Sequence, residues 1–280
     1  MNGQKHAKAQ IRFFEMRSRK KSAKNRQNGC ERTMRLSDGT YTRTQEIPFC
    51  DCDCNSTIKP SSLLRWLTNM AGDDYADRGF AHDALRTMGV VFLVSRINVR
   101  IHRNIRAEET VIFATYERGT KGPLCLRNYA VRDGNGGQIV TAKSAWVMCD
   151  PVTHRILRPK NQQFAILEHL DTMPDCPEPE KFLIPRELKF AGTRRVVYSD
   201  LDGNGHVNNA VYADIACDFL PLTILQKPLT GFAVSFQQEA RYGDSLSISL
   251  AQDHERSVVI GEVGNAICFA FELLTGASSE

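Results

Sequence analysis

The densest concentration of chemically capable side chains is the run Asp200-Leu201-Asp202-Gly203-Asn204-Gly205-His206-Val207-Asn208-Asn209. Asp202, Asn204, His206, Asn208 and Asn209 fall within eight residues, more polar groups than a braced turn needs. A carboxylate or imidazole held near a water is a general base, and an amide beside it can hold that water or a carbonyl oxygen. The first six positions also fit a calcium loop, but the twelfth must then be a bidentate glutamate and is Val211. His206 has no cysteine or second histidine at zinc-ligand spacing. No metal and no organic cofactor is expected. The plain alternative is a helix cap, with Asn208 or Asn209 as N-cap and Asp200 or Asp202 bracing the turn.

That run has a copy upstream. With an offset of 149 residues, Asp51, Asp53 and Asn55 fall on Asp200, Asp202 and Asn204, and Thr57 falls on His206. Leu63, Trp66, Leu67 and Met70 then fall on Tyr212, Ile215, Ala216 and Phe219, the same i, i+3, i+4, i+7 helix stripe. The chain is a duplicated domain.

Alternating runs follow each helix. In the first copy they are Val90–Arg103, Thr110–Tyr116, Leu124–Arg132 and Ile139–Cys149. In the second they are Phe232–Arg241, Ser245–Ala251, Ser257–Val263 and Ala266–Leu274. One helix cannot cover such a sheet from outside, so each sheet is expected to curl around its helix. The fold class is α+β. Residues 151–185 hold six of the eleven prolines and read as a linker.

The 280 residues carry a net charge of +4, unevenly spread. Residues 1–40 hold 11 Lys and Arg against 3 Asp and Glu, whereas the remainder is mildly acidic. The basic segment 1–39 has no periodicity and is expected to be a disordered leader rather than a nucleic-acid arm. The longest apolar run, Ala266–Phe271, is far too short to span a bilayer. Nine cysteines, with no C-x-x-C pair, suit free thiols in a reducing compartment, and a cytoplasmic location is expected.

The stretch from Asp202 through Tyr212 resembles the signature of the acyl-acyl-carrier-protein (acyl-ACP) thioesterases, a double-hotdog family. Phe236-Gln237-Gln238-Glu239-Ala240-Arg241-Tyr242-Gly243-Asp244 resembles the family's acid-bearing strand, 33 residues after His206. Ser61–Leu64 and Ser144–Val147 resemble the N-terminal hotdog. Plant members carry a cysteine directly after the acid; Ala240 stands there, which excludes a covalent cysteine at that position. The resemblance implies a tandem hotdog, with an acyl-binding unit over residues 40–150 and a catalytic unit over 186–280. Thr57 stands for His206 and Asn104 for Glu239 in the first unit, so one catalytic site per chain is expected.

The implied reaction is hydrolysis of a fatty acyl thioester on acyl carrier protein, ending fatty-acid synthesis. Its residues would be Asp202, Asn204, His206 and Glu239. Glu239 would polarise water with His206 paired to it, though either can be the base. Asn204 would hold water or thioester, Asp202 would orient Asn204 or His206, and backbone amides near Asn208 would take the oxyanion. A coenzyme A thioesterase and a non-catalytic acyl-binding module are the alternatives. The expected partner is acyl carrier protein, with no nucleic acid and no stable membrane insertion, and a homodimer is compatible. Docking is expected on Arg155, Arg158, Lys160, Arg186, Lys189, Arg194 and Arg195, and the acyl tunnel against Leu64, Met88 and Val90.

Overall fold

The computed structural model describes residues 32–159, 167 and 175–276. Twelve strands form one sheet. In the first half they are β1 (Arg32–Arg35), β2 (Tyr41–Glu46), β3 (Val91–Ile101), β4 (Thr110–Lys121), β5 (Leu124–Arg132), β6 (Gln138–Cys149) and β7 (Ile156–Leu157). In the second they are β8 (Lys189–Arg195), β9 (Leu229–Phe236), β10 (Ser245–Gln252), β11 (Arg256–Val263) and β12 (Ala266–Thr275). The helices are α1 (Pro60–Asp77), α2 (His82–Thr87), α3 (Val211–Asp218) and α4 (Leu222–Leu225).

The strand order is β1-β2-β4-β5-β6-β3-β9-β12-β11-β10-β8, with β7 on β6. Past β1 the order is a palindrome: β2, β4, β5, β6 and β3 answer to β8, β10, β11, β12 and β9. The halves are stitched where β3 pairs antiparallel with β9, from Arg96↔Ser235 to Arg100↔Gly231. Gly231 is required there, because a Cβ on it would sit 2.6 Å from the Val99 carbonyl oxygen. α1 and α3 pack on each other, and a single apolar core runs through both halves. Leu63, Leu67 and Met70 of α1 and Tyr212, Ile215 and Ala216 of α3 lie in it, fully or nearly fully buried.

Several elements depart from expectation. The strand expected over Phe232–Arg241 ends at Phe236, so Glu239 sits in the loop beyond β9. Residues 239–241 instead lie against the 206–207 loop, through the His206↔Arg241 bridge and the Val207 N–H to Ala240 oxygen bond of 2.9 Å. Within the segment expected to be a leader, Arg32–Arg35 pairs antiparallel with residues 41–44 of β2 through a turn at Asp38-Gly39, Gly39 having φ +86°. Residues 1–31 lie outside the described residues. In the linker, Glu178 reaches back to Arg118 (2.7 and 2.8 Å) and Lys143 (3.0 Å). No described helix is long and apolar enough to cross a membrane.

Candidate active site

The two D-x-D-x-N loops fold alike, and the likeness extends to individual hydrogen bonds. The Asp202 N–H donates to the His206 oxygen at 2.9 Å, as the Asp53 N–H does to Thr57 at 2.8 Å. Asn204 donates its backbone N–H to Asp202 Oδ1 (2.8 Å) and its amide to Oδ2 (3.3 Å), and Asn55 does the same to Asp53 at the same distances. Both loops pass through a left-handed residue, Gly205 at φ +84° and Ser56 at φ +57°. The Asp–Asn brace is therefore common architecture.

What the second loop adds is a histidine and an acid. His206 Nε2 lies 3.3 Å from Glu239 Oε2, and its Nδ1 lies 3.9 Å from Asp202 Oδ1. The imidazole is 18% exposed and the two carboxylates 38% and 27%, so the group is partly buried and still reachable from solvent. In the first unit Ile58 N–H donates to Ile105 oxygen, as Val207 does to Ala240, which sets Asn104 opposite Glu239 and Thr57 opposite His206. There Thr57 Oγ1 turns onto Asp53 at 3.2 Å, and the Asn104 amide donates to the Leu229 oxygen at 3.2 Å.

Two supporting groups were not apparent from sequence. Tyr212, read only as a member of the helix stripe, accepts the Ala240 N–H on its hydroxyl at 3.0 Å and so anchors the Glu239 segment. Burial pushes its phenol upward. Cys149, at the end of β6, has its thiol raised by burial and then by the Glu239 charge. Asp200 braces the turn by accepting Val197 N–H (2.8 Å) and Arg194 Nη2 (2.7 Å). The N-cap of α3 is Ala210 rather than either asparagine, with Asn208 Oδ1 accepting the Ala210 N–H at 2.9 Å.

A cavity of about 160 Å³ opens between α1 and the sheet of the first unit, with Thr68, Gly72, Val90, Phe92 and Trp146 among its walls. Of the residues expected at an acyl tunnel, Val90 lines this cavity. Leu64 does not; it is wholly buried in the main core. Met88 is 36% exposed and also lies off the cavity. Among the expected docking cations Arg194 is committed to Asp200, Lys160 lies outside the described residues, and Arg155, Arg186, Lys189 and Arg195 are exposed.

Residues 38–167 match the acyl-ACP thioesterase N-terminal domain, and residues 187–265 match the acyl-ACP thioesterase C-terminal domain. The chain belongs to the acyl-ACP thioesterase family. It is 26% identical over 158 residues to a chloroplastic acyl-acyl-carrier-protein hydrolase of Cuphea viscosissima, a match covering 54% of this chain and 38% of that relative. The chain thus spans about two fifths of the length of the curated relatives it matches. Its fold is that of an acyl-ACP thioesterase from Bacteroides thetaiotaomicron, with TM-score 0.72, 23% identity, and 85% of this chain and 98% of the other covered. The 12:0-ACP thioesterase from Umbellularia californica gives TM-score 0.70 at 15% identity, covering 84% and 96%. The architecture is the tandem hotdog.

Proposed function

We propose that this chain hydrolyses fatty acyl thioesters of acyl carrier protein, releasing free fatty acid in the compartment where the chains are made, the cytoplasm. The observation that carries the reading is the His206–Glu239 pair, 3.3 Å apart, in one of two otherwise matching loops. Division of labour follows from it: the second unit catalyses, and the cavity of the first holds the acyl chain. One chain supplies both units, so the reaction requires no second copy.

In the proposed step Glu239 takes a proton from water as its oxygen attacks the thioester carbonyl. His206 orients the carboxylate and stabilises its charge. The C–O bond forms, negative charge develops on the carbonyl oxygen, and collapse breaks the C–S bond. The proton taken from water passes to the departing thiolate, leaving Glu239 ionised. Asp202 holds Asn204 by two hydrogen bonds, which keeps the Asn204 amide at the loop surface where a water or thioester arrives. Of the amides at the start of α3, those of Asn208, Ala210 and Val211 are already engaged, so the oxyanion role falls to Asn209 rather than Asn208.

The test is the release of free acid from a ladder of acyl-ACP substrates, with the matching coenzyme A esters alongside. Faster turnover of the carrier-bound series, lost on changing His206 or Glu239, is expected. Preference for coenzyme A esters would reassign the substrate, and no turnover of either would leave an acyl-binding module.

A further inference from the structure

The Tyr212 hydroxyl ties the start of α3 to the segment that carries Glu239. Tyr212 stands in the first turn of that helix and is only 3% exposed. Its ring packs on Phe269 of β12, 4.9 Å between centroids, and on Phe236, the last residue of β9, at 6.0 Å. Its oxygen accepts the Ala240 N–H at 3.0 Å. Burial pushes the phenol upward, so the oxygen stays protonated and neutral at ordinary pH.

Glu239 is thereby fixed from both sides. Before it, the Gln237 N–H donates to the Cys268 oxygen at 2.9 Å. After it, Ala240 is wholly buried and held twice: its N–H by Tyr212, and its oxygen by the Val207 N–H at 2.9 Å. Val207 follows His206 directly, so the residue that Tyr212 grips also sets Glu239 against the imidazole, 3.3 Å away. Removing the phenolic oxygen leaves a buried N–H short of its acceptor, which the chain relieves by shifting the peptide next to Glu239.

The first unit shows that such a loop folds without the hydroxyl. Leu63 falls on Tyr212 at the same 149-residue offset, and Ile105 stands where Ala240 does, accepting the Ile58 N–H at 2.9 Å. Both lie in the buried core, and Leu63 has no oxygen to offer. Yet that loop keeps its Asp53–Asn55 brace at the distances of Asp202–Asn204. Tyr212 therefore differs from its counterpart together with His206 and Glu239, not with the brace. We propose that Tyr212 is a positioning residue of the reaction: its hydroxyl holds the 239–240 peptide so that the Glu239 carboxylate stays against His206 and faces the attacking water. The inference rests on the thioesterase reading for its kinetics, but the geometry it asserts can be read without turnover.

The experiment compares the full chain with Tyr212→Phe, which keeps the ring and removes only the oxygen, on an acyl-ACP that the unaltered chain hydrolyses. kcat is expected to fall about tenfold or more with KM within about twofold, since a misplaced base costs rate rather than binding. In a Glu239→Gln background the same change should cost less than about twofold, because no base is left to position. A kcat within about twofold of the unaltered chain would overturn the proposal. So would an undiminished loss in the Glu239→Gln background, the mark of a merely structural role. The imidazole resonances of His206, assigned by their absence in His206→Ala, give a reading that needs no catalysis. Tyr212→Phe should move them in the direction that Glu239→Gln does, and resonances left in place would overturn the proposal. If the unaltered chain hydrolyses no thioester, the catalytic reading fails on its own and the resonances still decide the positioning. Should Tyr212→Phe not fold, hydrogen exchange of the unaltered chain decides. An Ala240 amide as well protected as that of Val207 supports the hold on the peptide, and one that exchanges like an amide open to water overturns it.

Discussion

His206 Nε2 lies 3.3 Å from Glu239 Oε2, and at the matching positions of the first unit Thr57 and Asn104 each turn toward other partners, Asp53 and the Leu229 oxygen. The two loops share their braces and differ in this pair. A comparison inside one molecule thus separates the groups that build the loop from the pair proposed to act on a substrate.

His206→Ala and Glu239→Gln are each expected to lower kcat by about 10²–10⁴-fold, the usual contribution of a positioned general base. Both should leave the thermal melt nearly unchanged, because the loop is held by Asp202 and by backbone bonds. Thr57→Ala should change kcat by no more than a few fold. Matching losses at Thr57 and His206 in steady-state assays would mean two sites rather than one.

The duplication was legible because the same local hydrogen bonds demand the same residues: Asp53 and Asp202 each accept from the residue two ahead, a need that sequence preserves. Strand alternation gave most of the sheet for the same reason. The end of β9 was not legible, since Phe232–Arg241 keeps its pattern while residues 239–241 lie against a loop distant in sequence. The leader boundary failed differently. Asp38-Gly39 is a strong turn signal, and it announces the β1–β2 hairpin that charge alone concealed. The Asp74–Glu117–Arg127 cluster left no sequence trace, because its members are joined only by α1 packing on β4 and β5.

The proposed docking of an acidic carrier protein on this mildly acidic body needs local cations, and exposed ones shortly before the Asp202–His206 turn in sequence are Arg186, Lys189 and Arg195. Lys189→Glu with Arg195→Glu should raise KM for an acyl-ACP about tenfold at low salt and leave a small acyl thioester unaffected. The effect should shrink as salt rises. Unchanged KM on the carrier-bound substrate across the salt series would place docking on another face.

Glu178 ties the linker to the sheet. Its carboxyl is held below the ordinary glutamate range, first by the hydrogen bond from Arg118 and then by Lys143, against the opposing effect of burial. A depressed folded value means that the stabilisation is full above the unfolded pKa of about 4.3 and is lost as pH falls through the folded value. The side chain is 45% exposed, so screening limits the loss in Glu178→Gln at pH 7 to about 1 kcal/mol. Urea melts from pH 7 down to 3 should show the variant and the unaltered chain converging at the acid end. A constant gap across that range would show that the charge of Glu178 does not contribute.

Gly72 offers the most direct test of the proposed acyl cavity. It lies within α1 and lines the cavity, and a Cβ placed on it would meet nothing within 4 Å. Gly72→Ala removes a flexible residue from a helix interior and should stabilise the protein by up to about 1 kcal/mol in a urea melt. Gly72→Leu keeps that benefit and sends a branched side chain toward the acyl space. A cavity of about 160 Å³ loses a large share of its room to four added carbons, and a longer chain then meets overpacking rather than a mere loss of contact. The acids released from a mixed acyl-ACP ladder should therefore move to shorter chains, with turnover of the shortest substrates retained. Val90→Trp, entering from the β3 side, should move them the same way. Mass spectrometry of the released acids reads both variants against the unaltered enzyme, and an unchanged profile in two active, folded variants would separate this cavity from the acyl path.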